Sequence, residues 1–363
     1  MRGLAIGIMS GTSLDGADAV LADFSANPPR CVAASAVPFP ADLKQGLLAL
    51  CAPGSDGLDA AGACAVRLAD IYAEAVALVL AKASLPPSAV EVIGCHGQTV
   101  RHRPELGYTI QLNDAARLAE RAGIDVVADF RSRDVAAGGQ GAPLVPAFHD
   151  EAFRHPTLHR VVVNIGGIAN ASSLVPGRPF AGFDTGPGNV LMDAWARRHL
   201  GAEFDVDGLW AAQGRVDPGL LARLLDEPFF AKPPPRSTGR ELFNEAWLAA
   251  RLENDAFPAD IQATLLELTA RTVWDAIGHH CGSPDEVYLC GGGARNARLA
   301  ARIGELAVPC PVRPTDFLGV PTGQVEAMAF AWLALKCARR EPLDLAAVTG
   351  ARHPCILGAI YPA

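Results

Sequence analysis

The residues best suited to chemistry in this 363-residue chain lie in turns that follow short apolar runs. Ile6 to Met9 leads into Ser10-Gly11-Thr12-Ser13-Leu14-Asp15-Gly16-Ala17-Asp18, and an apolar run resumes at Ala19. This spacing predicts a two-stranded hairpin whose turn carries hydroxyls, free N–H groups and two glycines, a composition able to surround phosphate oxygens. An ordinary hairpin is the plain alternative. Two other phosphate loops are excluded: the first lysine is Lys44, so no Gly-Lys-Ser/Thr ending exists here, and the glycines are too spread for a dinucleotide fingerprint. The pattern returns at Val161 to Leu174, with Asn164, Gly166 and Gly167 at the turn and Asn170 on the resumed strand. Two such hairpins, each opening half of the chain, point to an internal duplication that holds a nucleotide. A third element, Glu286 to Cys290, empties into Gly291-Gly292-Gly293, a flat surface on which an adenine ring can lie.

Two acids are candidates for proton transfer. Asp184, in Phe183-Asp184-Thr185-Gly186-Pro187-Gly188-Asn189, stands where a strand meets a glycine-rich turn and can accept a proton there; the alternative is an Asx turn with Gly186. Glu326 is the one acid of the apolar run Thr322 to Trp332. It needs water, a partner or a proton, or it simply favours the first turn of a helix. His96-Gly97-Gln98-Thr99 reads as a loop at the C-terminal end of a buried strand, where open α/β sheets bind ligands; His96 as a backbone-bonded turn residue is the alternative. Arg131 lies in the run Asp129 to Asp134, ahead of Gly138-Gly139-Gln140-Gly141-Ala142-Pro143. That loop can wrap a sugar closely, or the charges form a structural knot. Gln98, Arg131 and Asn170 are the candidate substrate contacts. Lys232, Arg236 and Arg240 flank three prolines in what reads as a stiff exposed loop, either meeting an anionic substrate or merely solvated.

The elements that must position these residues follow from periodicity. Strands are expected at Val32 to Val37, Val90 to Cys95, Asp125 to Ala128 and Ile356 to Tyr361, beside the two hairpins and Glu286 to Cys290. Helices are expected over Asp59 to Ala83, after an N-cap at Asn113 or Asp114, around Met192 and Trp195, up to Ile303, and over Thr322 to Trp332.

Half of the residues are hydrophobic, enough for a large core and more consistent with two domains than one. The formal charge of −8, without any basic run, argues against nucleic acid and anionic membranes as partners. Nine cysteines without a Cys-x-x-Cys pair fit a reducing compartment better than a disulfide framework or structural zinc. No apolar stretch has the length of a membrane span and no leader is legible, so a cytoplasmic protein is expected.

Together, Ser10 to Gly16, Gly97-Gln98-Thr99, Gly138 to Pro146, Asn164 to Asn170, Phe183 to Asn189 and Ser237-Thr238-Gly239-Arg240 resemble the anhydro-N-acetylmuramic acid kinase family over essentially the whole chain. The resemblance implies an α/β fold of the actin-like, hexokinase and Hsp70 ATPase (ribonuclease H-like) kind, duplicated into two domains around a nucleotide cleft. One domain is expected at 1–128 plus about 340–363, with the first hairpin; the other at 129–339, with the second hairpin, Asp184 and the adenosine-binding glycines. It also implies a homodimer, ATP and Mg2+, and conversion of 1,6-anhydro-N-acetylmuramic acid to N-acetylmuramic acid 6-phosphate in peptidoglycan recycling. Asp184 matches the family's catalytic base. Asn113 departs from the pattern, which has Gly there, and Ile8 stands where many kinases of the wider superfamily carry Asp; metal handling then falls to water, phosphates, Asp15 or Asp18. The alternatives are an actin-like kinase acting on a free hydroxyl of another sugar, and a nucleotide-dependent chaperone or sensor that transfers nothing, for which an added binding domain is expected.

Overall fold

The computed structural model describes residues 3–11, 14–51, 57–253 and 257–363. In chain order its strands are β1 (Leu4–Met9), β2 (Gly16–Asp23), β3 (Arg30–Pro38), β4 (Val92–Cys95), β5 (Gln98–Arg103), β6 (Tyr108–Leu112), β7 (Val126–Ala128), β8 (Arg160–Ile165), β9 (Ile168–Leu174), β10 (Ala181–Pro187), β11 (Glu286–Cys290), β12 (Val312–Pro314) and β13 (Ala359–Tyr361). They divide between two compact units, Met1–Ala152 with Leu318–Ala363, and Phe153–Phe317.

In the first unit β1, β2 and β3 form an antiparallel meander, β4 and β7 continue the sheet parallel to β1, and β13 closes the edge beside β7. The second unit repeats the plan. Here β8, β9 and β10 form the meander, and β11 and β12 run parallel to β8 and β11. Numbered within each sheet, both contain the order 3-2-1-4-5, with the same strand senses. This repeated topology is the duplicated actin-like, ribonuclease H-like α/β fold.

Helix packing explains where the units divide. The helix Val325–Ala338 is apolar almost all round, so it has to be buried on every side. It lies on the first sheet at Gly7 and Gly94, neighbours in the β1–β4 register, where a Cβ would run into the backbone of Ala327 and Phe330. The expected boundaries at 128/129 and 339/340 therefore move to 152/153 and 317/318: this helix and residues 129–152 belong to the first unit. On the other side of that sheet Leu68, Tyr72, Val76 and Val79 of the helix Leu58–Ala83 join the core of Ile6, Ile8 and Leu21. Burial of such side chains contributes roughly 1.5–3 kcal/mol each.

The second unit is built around the helix Pro258–His280, which buries Ile261, Leu265, Leu268, Val273 and Ile277 against Val161, Val163, Phe183 and Leu289. Its polar residues are buried too, and they have tasks. Thr269 Oγ1 donates to the carbonyls of Pro187 and Gly188 at 3.1 and 2.9 Å, fixing the turn after β10. Glu267 holds Arg271 and Arg302, tying this helix to Ala297–Ala307.

Several elements differ from the sequence expectation, the helix Pro258–His280 among them. Gln98 and Thr99 do not sit in a loop: they begin β5, which pairs with β6 as a separate two-stranded ribbon. An additional helix, Ala41–Cys51, follows β3. Asp114 is the N-cap before Ala115–Ala122, accepting from the Arg117 amide at 3.0 Å. Among the described residues no helix is long and apolar enough to cross a membrane.

Candidate active site

In the second unit the β-sheet register aligns three of the predicted residues. Asn164 on β8 pairs with Asn170 on β9, and Asn170 pairs with Asp184 on β10. Directly opposed residues of antiparallel strands project to one face with Cβ atoms about 5 Å apart, so these polar side chains form one row. All three are buried. Among the described residues the Asn170 Oδ1 has no hydrogen-bond partner, an acceptor held beside Asp184. A bulge between Asp184 and Gly186 interrupts the ladder at the acid, a device that re-aims a side chain at a strand's end.

Asp184 is held from a distant part of the chain. Its N–H donates to the Arg236 carbonyl at 3.1 Å, Arg236 Nε donates back to the Asp184 carbonyl at 2.9 Å, and the Thr238 N–H donates to Asp184 Oδ2 at 2.9 Å; the first of these closes the pair. The expected exposed basic loop is thus wrong for Arg236, which is 4 % exposed. Its Nη1 donates to the carbonyls of Phe230 and Lys232, and its guanidinium lies 5.5 and 5.1 Å from the rings of Phe183 and Phe229. A cation surrounded by carbonyls and rings is structural, not offered to an anion. Lys232 itself is exposed.

The second hairpin, the turn after β10 and the run Gly291 to Gly293 pack on one another. The Gly166 carbonyl accepts from Asn189 N–H, and the Gly167 carbonyl from Gly188 and Val190, at 2.8 to 3.1 Å, capping the start of the helix Val190–Leu200. Gly291, with φ of 84°, leaves no space for a side chain against Asn164 and Ile165, and Gly293 none against Ile165 and Asn189. Gly292 alone is exposed, with nothing nearer to a Cβ than Asn189 Nδ2 at 3.9 Å. Of the three glycines, it presents the open surface.

In the first unit the predicted hairpin β1–β2 forms, and Thr12 and Ser13 lie outside the described residues. Leu14 donates its N–H to the Gly11 carbonyl at 3.2 Å and buries its side chain in the core, as does Ala17. Gly16 abuts the backbone of Val37. Leu14, Gly16 and Ala17 can therefore address a ligand only through backbone. Asp15 and Asp18 are exposed, with Asp15 3.6 Å from Lys44.

The first unit gathers a second polar group at the end of β4. His96 is buried, and Arg131 donates to its Nε2 from Nε and Nη2 at 3.1 and 2.9 Å. Burial, with the guanidinium adding to it, holds the His96 pKa well below the usual imidazole range. The ring is neutral, and acceptance at Nε2 puts its proton on Nδ1, which closes no full hydrogen bond although the Gly97 and Ser10 carbonyls lie near. Gln98 is 1 % exposed, and its Oε1 is unpartnered. Asn113 packs against Gly97 and approaches the Cys95 thiol without a full hydrogen bond. The Phe330 ring lies 4.6 Å from His96, tilted by 49°, and Glu326, half-buried in the first turn of the same helix, sits one turn before Phe330 on the same face.

Arg131 also donates from Nη1 to the Gly141 carbonyl at 2.7 Å. The loop Gly138 to Gly141 wraps a protein carboxylate: Asp134, buried, accepts from the Gly141 N–H and Thr349 Oγ1, each at 2.7 Å. Burial raises the Asp134 pKa against these bonds. Sequence reasoning missed this arrangement and the Arg236 clasp, because both join residues far apart in the chain. The one available signal was Asp134 standing within reach of a glycine run. Among the described residues no three His, Cys, Asp or Glu side chains form a metal-ligand group.

Residues 3–363 match the family described as anhydro-N-acetylmuramic acid kinase. The chain is similar to the anhydro-N-acetylmuramic acid kinase of Bordetella petrii, 56 % identical over 366 residues, covering 99 % of this chain and 96 % of the relative. That of Chromobacterium violaceum is 52 % identical over 366 residues, with 100 % of each covered. Among solved structures, the chain resembles a ROK family glucokinase from Streptomyces griseus in complex with glucose and AMPPNP, at a TM-score of 0.44 and 14 % identity over 92 % of this chain and 100 % of that one. It also resembles a chain of the PilM–PilN type IV pilus biogenesis complex, at 0.48 and 14 % over 92 % and 99 %.

Proposed function

Because the chain belongs to the anhydro-N-acetylmuramic acid kinase family, we propose that it is an ATP-dependent kinase acting on 1,6-anhydro-N-acetylmuramic acid. The products are N-acetylmuramic acid 6-phosphate and ADP. An anhydro sugar has no free 6-hydroxyl, so the base acts on water. Asp184 takes the proton as the water oxygen bonds to the anomeric carbon; the bond from that carbon to the bridging O6 breaks, and O6 takes the γ-phosphoryl group of ATP as the bond from that phosphorus to the β,γ-bridging oxygen breaks and ADP leaves. General-base catalysis of this kind contributes roughly 10²- to 10⁴-fold. The observation that carries the assignment is the buried row Asp184, Asn170, Asn164: a carboxylate held by the Thr238 amide beside an amide oxygen with no partner among the described residues.

The remaining roles are assigned on the same basis. The turns holding Gly11, Thr12, Ser13, Leu14, Asp15, Gly16, Ala17 and Asp18, and Asn164, Gly166 and Gly167, bind phosphates, and Gly292 between Gly291 and Gly293 offers the surface for adenine. Gln98, Arg131 and Asn170 bind the sugar, and the open Gln98 and Asn170 oxygens support that reading. Glu326 is the second acid, on the helix face that meets His96. Mg2+ would be held mainly by phosphate oxygens and water, with the exposed Asp15 or Asp18 of the first turn as protein donors, and it would neutralise charge on the transferred group. We read the protein as a cytoplasmic homodimer of peptidoglycan recycling, in keeping with nine free thiols.

Incubation with ATP, Mg2+ and the anhydro sugar should release ADP only when sugar is present, with a 6-phosphate as product. ADP release without sugar would contradict the proposal and favour a sensor or chaperone.

A further inference from the structure

Arg236 is the most fully engaged cation near the acid, and it does not touch solvent to any useful extent. We infer that Arg236 is the positioning residue of Asp184, fixing the acid's backbone and, through the same short loop, bringing the Thr238 amide onto its carboxylate. This inference rests on Asp184 being the base.

The geometry separates it from a generic buried arginine. Arg236 and Asp184 exchange backbone contacts in both directions, N–H to carbonyl at 3.1 Å and guanidinium to carbonyl at 2.9 Å. Two residues later the chain delivers Thr238 N–H to Oδ2. Removal of the guanidinium frees both the carbonyl of Asp184 and the loop that carries its amide partner. The planar fork spans carbonyls of Asp184, Phe230 and Lys232 while stacked between Phe183 and Phe229, a geometry that the single ammonium of lysine cannot reproduce. Phe183 immediately precedes the acid, so this packing also sets the direction in which β10 delivers it.

Charge adds a second effect. A fixed cation beside a carboxylate favours its ionised form, the form that accepts a proton. Among the described residues, His280 and His279, at the end of Pro258–His280, also face this region; the His280 ring lies 5.3 Å from Phe183, and burial first, then Arg236 and His279, lower its pKa. On β9 the facing residue, Asn170, is neutral. Loss of the Arg236 charge therefore makes Asp184 harder to ionise, and the acidic limb of the rate profile moves to higher pH.

The test compares wild type, Arg236→Lys, Arg236→Gln and Asp184→Asn in sugar-dependent ADP release from pH 5 to 9, with melting temperatures recorded for each. Asp184→Asn is expected to fold and to lose nearly all turnover; if it turns over normally, the base assignment fails and this inference falls with it. With Asp184→Asn inactive, Arg236→Gln should lose about 100-fold in kcat at unchanged KM, with its acidic limb displaced upward. Arg236→Lys should lose about 10-fold with the limb in place, since the cation remains. A folded Arg236→Gln with the wild-type profile, or with a lower rate and an undisplaced limb, overturns the inference. If Arg236→Gln does not fold, Arg236→Lys decides, and a wild-type kcat there overturns it.

Discussion

At the scale of single residues, the polar atoms left unpartnered say most about a ligand. A buried amide oxygen without a donor costs roughly 1–3 kcal/mol, so the Gln98 Oε1 and Asn170 Oδ1 are retained against the interest of the fold alone. If Gln98 meets the sugar, Gln98→Ala should raise KM for the sugar about tenfold, the value of one hydrogen bond, without lowering the melting temperature. A lower melting temperature with unchanged KM would make Gln98 a packing residue. Residue positions were legible in the sequence where a strand meets a turn, as at Asp184, and illegible where a side chain's partners lie far away in the chain. Arg236 looked like a solvated cation because its neighbours in sequence are prolines and lysine; its neighbours in space are carbonyls and rings.

Elements were legible in proportion to their apolar content. Both hairpins and the helix Leu58–Ala83 stand out as apolar runs closed by Gly or Pro. The β5–β6 ribbon was missed because β5 carries Arg101, His102 and Arg103, and because the alternation of β6 runs against burial, with Tyr108 and Ile110 exposed and Thr109 buried. The domain boundary was misplaced for a related reason: a helix apolar all round does not name its partner, and only the paired glycines of β1 and β4 do so. Gly7→Ala tests that contact. A methyl directed into the backbone of Ala327 cannot be absorbed by a rotamer change, and the variant should lose about 2–3 kcal/mol in urea unfolding. A loss under about 0.5 kcal/mol would show that the helix does not rest on β1 so closely.

At the scale of the whole molecule, one topology is used twice with different contents. The second copy carries the acid in a row of amides, and the first carries a neutral histidine, an arginine and open amide groups. Duplication explains why the sequence shows the hairpin twice while the side chains at matching places differ: Asn164 of β8 has Ile8 of β1 as its counterpart. The central claim is that the acid activates water at the anomeric carbon. It is tested most directly by running the reaction in oxygen-18 water and reading the product by mass spectrometry, against product merely incubated in the same water for the same time. The account predicts one heavy oxygen at the anomeric position beyond that control, with light oxygen at O6 and no product from Asp184→Asn. A 6-phosphate whose anomeric oxygen remains light, or a phosphorylated product that still carries the intact anhydro bridge, would contradict it.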